Sequence, residues 1–160
     1  EGDEQYALIK KEQMPDGRLL QLLRTNWDQL WEAISEDDGR SWRTVHPSGL
    51  DASSAPANLL ALQSGKMLLV WNRMYPKGKH EFFRSGGAAA AVAASRHRLE
   101  LSMAYSDDGI AWSEPEVIAR DPGGLSYPRL FERRPGEVWI TTAFQGNLRI
   151  KIDVNDFIGA

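Results

Sequence analysis

Ser35-Glu36-Asp37-Asp38-Gly39-Arg40-Ser41-Trp42 spells S-x-D-x-G-x-S-W, and seventy positions later Tyr105-Ser106-Asp107-Asp108-Gly109-Ile110-Ala111-Trp112 repeats the frame with Asp, Gly and Trp in register. The spacing describes a tight turn. An Asp side chain accepts hydrogen bonds from backbone N–H groups of its own turn, Gly supplies a positive φ, and the Trp folds under the loop as an apolar plug. Each motif therefore closes a hairpin at the edge of a sheet. The pairs Asp37-Asp38 and Asp107-Asp108 are occupied as turn formers, so neither motif is expected to touch a substrate.

A second repeat interleaves with the first. Asp16-Gly17-Arg18-Leu19-Leu20, Ser64-Gly65-Lys66-Met67-Leu68 and Pro135-Gly136-Glu137-Val138-Trp139 each place a Gly turn ahead of large apolar residues, the pattern of a hairpin entering a buried strand. Three units follow. From Gly17 to Gly65 is 48 residues and from Gly65 to Gly136 is 71, so the second unit carries an insertion. The excess falls at 76–95, where Pro76-Lys77-Gly78-Lys79-His80 leads into Gly86-Gly87-Ala88-Ala89-Ala90-Ala91-Val92-Ala93-Ala94. It reads either as a loop with one short Ala-rich helix or as an excursion without structure.

Apolar runs bounded by turns predict strands over 18–25, 29–35, 58–62, 66–73, 99–106, 128–133, 137–143 and 148–153. Leu19, Leu22 and Leu23 also fit a helical spacing, but the Asp-Gly turn just before them favours a strand. With 42% hydrophobic residues over 160 positions, one domain with a sizeable core is the default. The net charge of −3 is spread without a basic cluster, which argues against nucleic acid as a partner. No apolar stretch approaches the roughly 20 residues of a membrane helix, and the absence of cysteine leaves no disulfide framework. His46, His80 and His97 show no metal-ligand spacing and are expected at the surface, so neither a metal nor another cofactor is implied. The first residue is Glu1, not Met, so a preceding region is to be expected.

The two box motifs are those of the Asp-box, or BNR, propellers. The stretch from Asp16-Gly17-Arg18 through Leu23-Arg24-Thr25-Asn26, with Ser54-Ala55-Pro56-Ala57 and Leu68-Leu69-Val70-Trp71-Asn72, resembles the later blades of bacterial exo-α-sialidases. Arg98-Leu99-Glu100-Leu101, Leu125-Ser126-Tyr127-Pro128 and Leu148-Arg149-Ile150 continue that resemblance to the last blades. It implies an all-β chain forming about three blades of a six-bladed sialidase-type β-propeller, with residues 1–160 as its C-terminal half. Propellers close with about 4–8 blades. The missing N-terminal half, or a second chain, is therefore an expected partner. The resemblance also implies a secreted or periplasmic setting.

The same resemblance implies a site and a substrate. Sialidases hold the carboxylate of a terminal α-linked sialic acid with three arginines, whose planar forks match a carboxylate bidentately. Arg24 fits the second arginine, and Arg98, or Arg96 on the same strand face, fits the third. Tyr127 fits the nucleophile, since sialidases use Tyr where other glycosidases use a carboxylate. A neutral phenol is not repelled by the substrate's own carboxylate, but with an ordinary pKa of about 10 it needs a base beside it. The family's Glu falls at Leu8, flanked by Glu4 and Glu12, and a four-residue insertion would bring Glu4 into its place. The general acid and the first arginine belong to the family's earlier blades. Trp27 and Trp31 either stack on a sugar ring or pack within a blade. The expected partner is thus a sialylated or other acidic glycan. Two alternatives stay open: a propeller that binds glycans without catalysis, and an enzyme acting on another acidic sugar, by elimination for example.

Overall fold

A computed structural model describes residues 11–74, 97–142 and 148–157. These form eleven strands: β1 (Lys11–Gln13), β2 (Leu19–Leu23), β3 (Gln29–Ser35), β4 (Thr44–Asp51), β5 (Asn58–Ala61), β6 (Met67–Trp71), β7 (Glu100–Ser106), β8 (Glu116–Arg120), β9 (Arg129–Arg134), β10 (Glu137–Thr141) and β11 (Arg149–Asp153). A 3-10 turn, Val154–Asp156, follows the last of these strands and is capped by the Asp153 side chain. The strands make three antiparallel meanders in the orders β1-β2-β3-β4, β5-β6-β7-β8 and β9-β10-β11. Strand β5 touches both β1 and β9, so the first strands of successive sheets line up side by side. The fold is all-β and consists of consecutive blades, part of a β-propeller.

The Gly turns fall where expected. Gly17, Gly65 and Gly136, all at φ of 80° to 89°, join the first two strands of each blade. In the first two blades the turn is closed identically, by Gly17 N to Met14 O at 2.9 Å and by Gly65 N to Leu62 O at 2.9 Å. Leu19 through Leu23 form a strand rather than a helix, with Leu20 and Leu22 alternating into the core.

The expected strand list is incomplete in a systematic way. It lacks β4 and β8, the outermost strands of their blades, and the three-residue β1. Strand β4 contains Pro47 and β8 is largely exposed, so neither shows the apolar run that marks a buried strand. The insertion expected at 76–95 lies outside the described residues.

Strand β6 is buried at all five positions because it is covered on both faces. Met67, Leu69 and Trp71 join Met14, Leu20, Leu22, Leu30 and Ala52 of the first blade. Leu68 and Val70 pack with Leu130, Val138, Ile140 and Ile152 of the third. The period of two along one strand thus builds both inter-blade cores.

Each Asp-box joins the third and fourth strands of its blade, at the rim. In the first, Asp37 accepts from Ser41 N at 2.8 Å, Ser41 Oγ at 2.6 Å and Ser35 Oγ at 2.9 Å, and Ser35 Oγ accepts from Gly39 N at 2.8 Å. The second box is one residue tighter than the sequence frame predicts. Asp108, not Asp107, accepts from Ile110 N at 2.8 Å, Ala111 N at 2.9 Å and Ser106 Oγ at 3.0 Å. Asp107 forms an ion pair with Lys66. Trp42 and Trp112 are each half-buried beneath their turns.

Gly109 packs tightly within this box. Its φ is +78°, and a Cβ added there would lie 2.8 Å from Met67 Sδ and 3.1 Å from Met14 Cε. At Gly65 the φ is +88° but nothing lies within 4 Å of an added Cβ. Gly65→Ala should therefore cost only the left-handed strain, about 1–2 kcal/mol. Gly109→Ala should add an overpacking cost of roughly 1–3 kcal/mol. Urea unfolding of the two variants checks this; equal losses would mean the box does not pack against the two methionines.

The boxes also predict an acid limb. Hydrogen bonds from Ser41 and Ser35 hold the Asp37 carboxyl down to about 2, and bonds from Ala111 and Ile110 lower that of Asp108. A depressed carboxyl contributes stability above its unfolded pKa of about 4 and loses it as pH falls through the folded value. The thermal midpoint should fall between about pH 4 and pH 2, and Asp37→Asn should flatten that fall. An unchanged slope in the variant would sink the assignment.

Candidate functional site

In an antiparallel meander the Gly turns and Asp-boxes share one end of each sheet. The β2–β3 type loops and the linkers between blades share the other. Arg24 begins the β2–β3 loop, Ser54 lies on the β4–β5 linker, Arg98 precedes β7, and Tyr127 lies on the β8–β9 linker. All four stand at the end opposite the Asp-boxes.

Ser54 draws two of them together. Arg24 Nε donates to Ser54 Oγ at 3.1 Å, and an Arg98 terminal nitrogen donates to Ser54 O at 3.2 Å. Ser54 itself is 2% exposed and donates to Asn26 Oδ1 at 3.1 Å. The Arg98 guanidinium lies over the Tyr127 ring, 5.6 Å from its centroid, within cation–π range. The structure thus brings Arg24, Arg98 and Tyr127 to one place, from two blades and a linker. Glu4 and Arg96 lie outside the described residues, as does Leu8. Glu12 is half-buried on β1, opposite Leu20.

The arginines of this chain differ in the company they keep. Arg18, Arg73, Arg120 and Arg133 pair with Asp16, Asp51, Glu100 and Glu137 at 2.7–3.3 Å. Arg24 bonds to a hydroxyl instead. It is exposed, and with Nε engaged its two terminal nitrogens remain for a further acceptor.

Tyr127 adopts a left-handed backbone, φ +58°, immediately before Pro128. For a bulky residue that is a strained conformation, and strain of this kind persists only where the surroundings over-determine it. The clamps are visible on both sides. Asn72 Nδ2 donates to Leu125 O at 2.6 Å and to Glu100 O at 2.8 Å; Asn58 Nδ2 donates to Pro128 O at 3.0 Å. Both asparagines are at most 5% exposed. Sequence reasoning missed them as positioning residues, because their acceptors lie 28 to 70 positions away.

The remaining candidates separate cleanly. His97 is buried, contrary to the surface position expected of it, while His46 is half-buried on β4 and sits 3.2 Å from Glu32. Burial raises the Glu32 carboxyl above its ordinary range, and His46 partly offsets this. His80 lies outside the described residues. Among the described residues no group of His, Asp and Glu could hold a metal, and no helix is long and apolar enough to cross a membrane.

A match to the BNR repeat-like domain family spans residues 8–140. The chain belongs to that family. Among solved structures, an unknown-function protein from Dyadobacter fermentans DSM 18053 aligns over 89% of this BNR repeat-like chain at 18% identity and a TM-score of 0.56. The alignment spans 35% of that structure, and at this identity it speaks to the fold alone. A second structure, the Hadza microbial sialidase Hz136, aligns over 90% of the chain and 43% of its own length at 14% identity and a TM-score of 0.43. No curated protein matches the chain.

The BNR repeat-like blades thus frame a site whose strained element is held by Asn72. Removing its amide should leave two buried carbonyls unsatisfied and cost about 1–3 kcal/mol for each. Asn72→Ala should unfold at correspondingly lower urea concentration and loosen the Tyr127 ring, read as line broadening of its NMR signals. A variant as stable as the parent would show that the clamp is not needed.

Proposed function

We propose that this chain supplies the carboxylate-binding and nucleophile side of a sialidase-like glycosidase, acting on a terminal α-linked sialic acid or a related acidic sugar. The supporting observation is the convergence of Arg24 and Arg98 on Ser54, with Arg98 stacked on a strained Tyr127. Two guanidiniums at a fixed separation suit a carboxylate. A tyrosine fixed beside them suits attack at the anomeric carbon that bears that carboxylate.

In this reading the substrate carboxylate bonds to the terminal nitrogens of Arg24 and to Arg98. The Tyr127 phenol loses its proton to a base, for which Glu4 is the candidate. Its oxygen then forms a bond to the anomeric carbon as the glycosidic C–O bond breaks. The departing oxygen takes a proton from an acid supplied elsewhere in the complete protein, and water later cleaves the tyrosyl bond to release the sugar with retained configuration. A second reading, glycan binding without hydrolysis, is favoured by one observation: Leu8 stands where the base is expected.

In the complete protein, Tyr127→Phe should retain binding of a sialic acid analogue and lose most turnover of a fluorogenic sialoside, because only the attacking oxygen is removed. Arg24→Lys should weaken that binding by about 1.5–3 kcal/mol, since a point charge replaces a planar fork. Turnover undiminished in Tyr127→Phe would exclude the nucleophile assignment. Binding without any turnover in the parent protein would favour the second reading.

A further inference from the structure

Trp27 is the one large aromatic side chain of the β2–β3 loop, and it is 56% exposed. An indole in water forfeits the burial that usually stabilises it. The loop does not leave it loose. Thr25 Oγ1 donates to Gln29 O at 2.6 Å and accepts from Trp27 N at 3.1 Å, which closes the loop across its base. Ala52 N donates to Asp28 O at 2.9 Å, and Ser54 Oγ donates to Asn26 Oδ1 at 3.1 Å, which tie it to the linker leading to the second blade. Asp28 is held at φ +61° beside the indole. The Trp27 ring rests on that of Trp31, with centroids 5.2 Å apart and planes tilted by 45°. Trp31 is half-buried on β3, so it anchors the pair while Trp27 faces solvent.

The same five-residue loop carries Arg24. Arg24 and Asn26 share Ser54, so the guanidinium and the loop segment that carries the indole are tied to one residue. An exposed aromatic face on the same loop as a cation matches the needs of a pyranose ring, whose C–H face stacks on indole while its hydroxyls stay hydrated.

We infer that Trp27 forms a second sugar subsite, stacking on the neutral sugar that follows the acidic residue held at Arg24. The inference rests on the proposed function and extends it from a single sugar to the adjoining residue of the glycan. The subsite selects among glycans by what lies beyond the acidic sugar.

The test is a pair of binding measurements by titration calorimetry on the complete protein carrying Tyr127→Phe, so that neither probe is consumed. One probe is the methyl α-glycoside of sialic acid, and the other is an α-sialoside whose aglycone is a neutral disaccharide. Adding Trp27→Ala should reduce the preference for the longer probe over the shorter by on the order of tenfold. Trp27→Tyr, which keeps an aromatic face, should restore most of it. Because the indole is exposed, the thermal midpoint reports separately on any loss of folding. A preference unchanged by Trp27→Ala, or both probes weakened by the same factor, would overturn the subsite while leaving the proposed function intact. Failure of the Tyr127→Phe parent to bind either probe would overturn both.

Discussion

Everything at the candidate site depends on the double burial of β6. Its five residues are alternately committed to the first and the third blade, so the middle sheet cannot tilt without opening one of two apolar cores. The site needs that rigidity. Arg24 comes from the first blade, Ser54 from the linker that follows it, Arg98 from the second blade and Tyr127 from the linker to the third. Hydrogen bonds near 3 Å tolerate displacements of a few tenths of an ångström, so their geometry is inherited from the packing between sheets.

The two ends of the blades solve different problems with the same backbone. At the Asp-box end, side chains satisfy the N–H groups of their own turns, and the carboxylates of Asp37 and Asp108 are consumed in doing so. At the opposite end, side chains from distant positions satisfy backbone carbonyls. Asn72 bridges Leu125 and Glu100, and Asn58 reaches Pro128. Local closure makes a turn that folds by itself. Long-range closure can hold a residue such as Tyr127 in a conformation its own segment would not choose.

That difference explains what was legible in the sequence. The Gly turns and Asp-boxes are encoded within eight residues or fewer, so the inner hairpins and the three blades could be read directly. Strands β4 and β8 could not, because an exposed edge strand needs no apolar alternation; Thr44-Val45-His46-Pro47 looks like a loop. The choice of Asp108 over Asp107 was equally hidden. Both are good turn formers, and only the structure shows that Asp108 accepts from the turn while Asp107 pairs with Lys66. Arg24, Arg98 and Tyr127 were legible only through the family resemblance. Asn58, Asn72 and the bonding of Ser54 required the fold itself.

The charge of Arg24 is the last piece of this logic. An arginine beside a carboxylate spends its field on that partner, as Arg73 does on Asp51 and Arg120 does on Glu100. A hydroxyl can orient a guanidinium equally well, because Nε needs only an acceptor, but it carries no compensating charge. Ser54 therefore fixes the direction of Arg24 and leaves its field uncancelled at that contact. The Ser54 backbone oxygen also accepts from Arg98, which brings the second guanidinium to the same residue. Neutral anchors for cations cost some stability, since two guanidiniums brought to one residue repel each other. A hydroxyl at position 54 can both accept from Arg24 and donate to Asn26 Oδ1, which a carboxylate could not do, so one uncharged and buried side chain ties the two together at the end of the blades where Tyr127 is held.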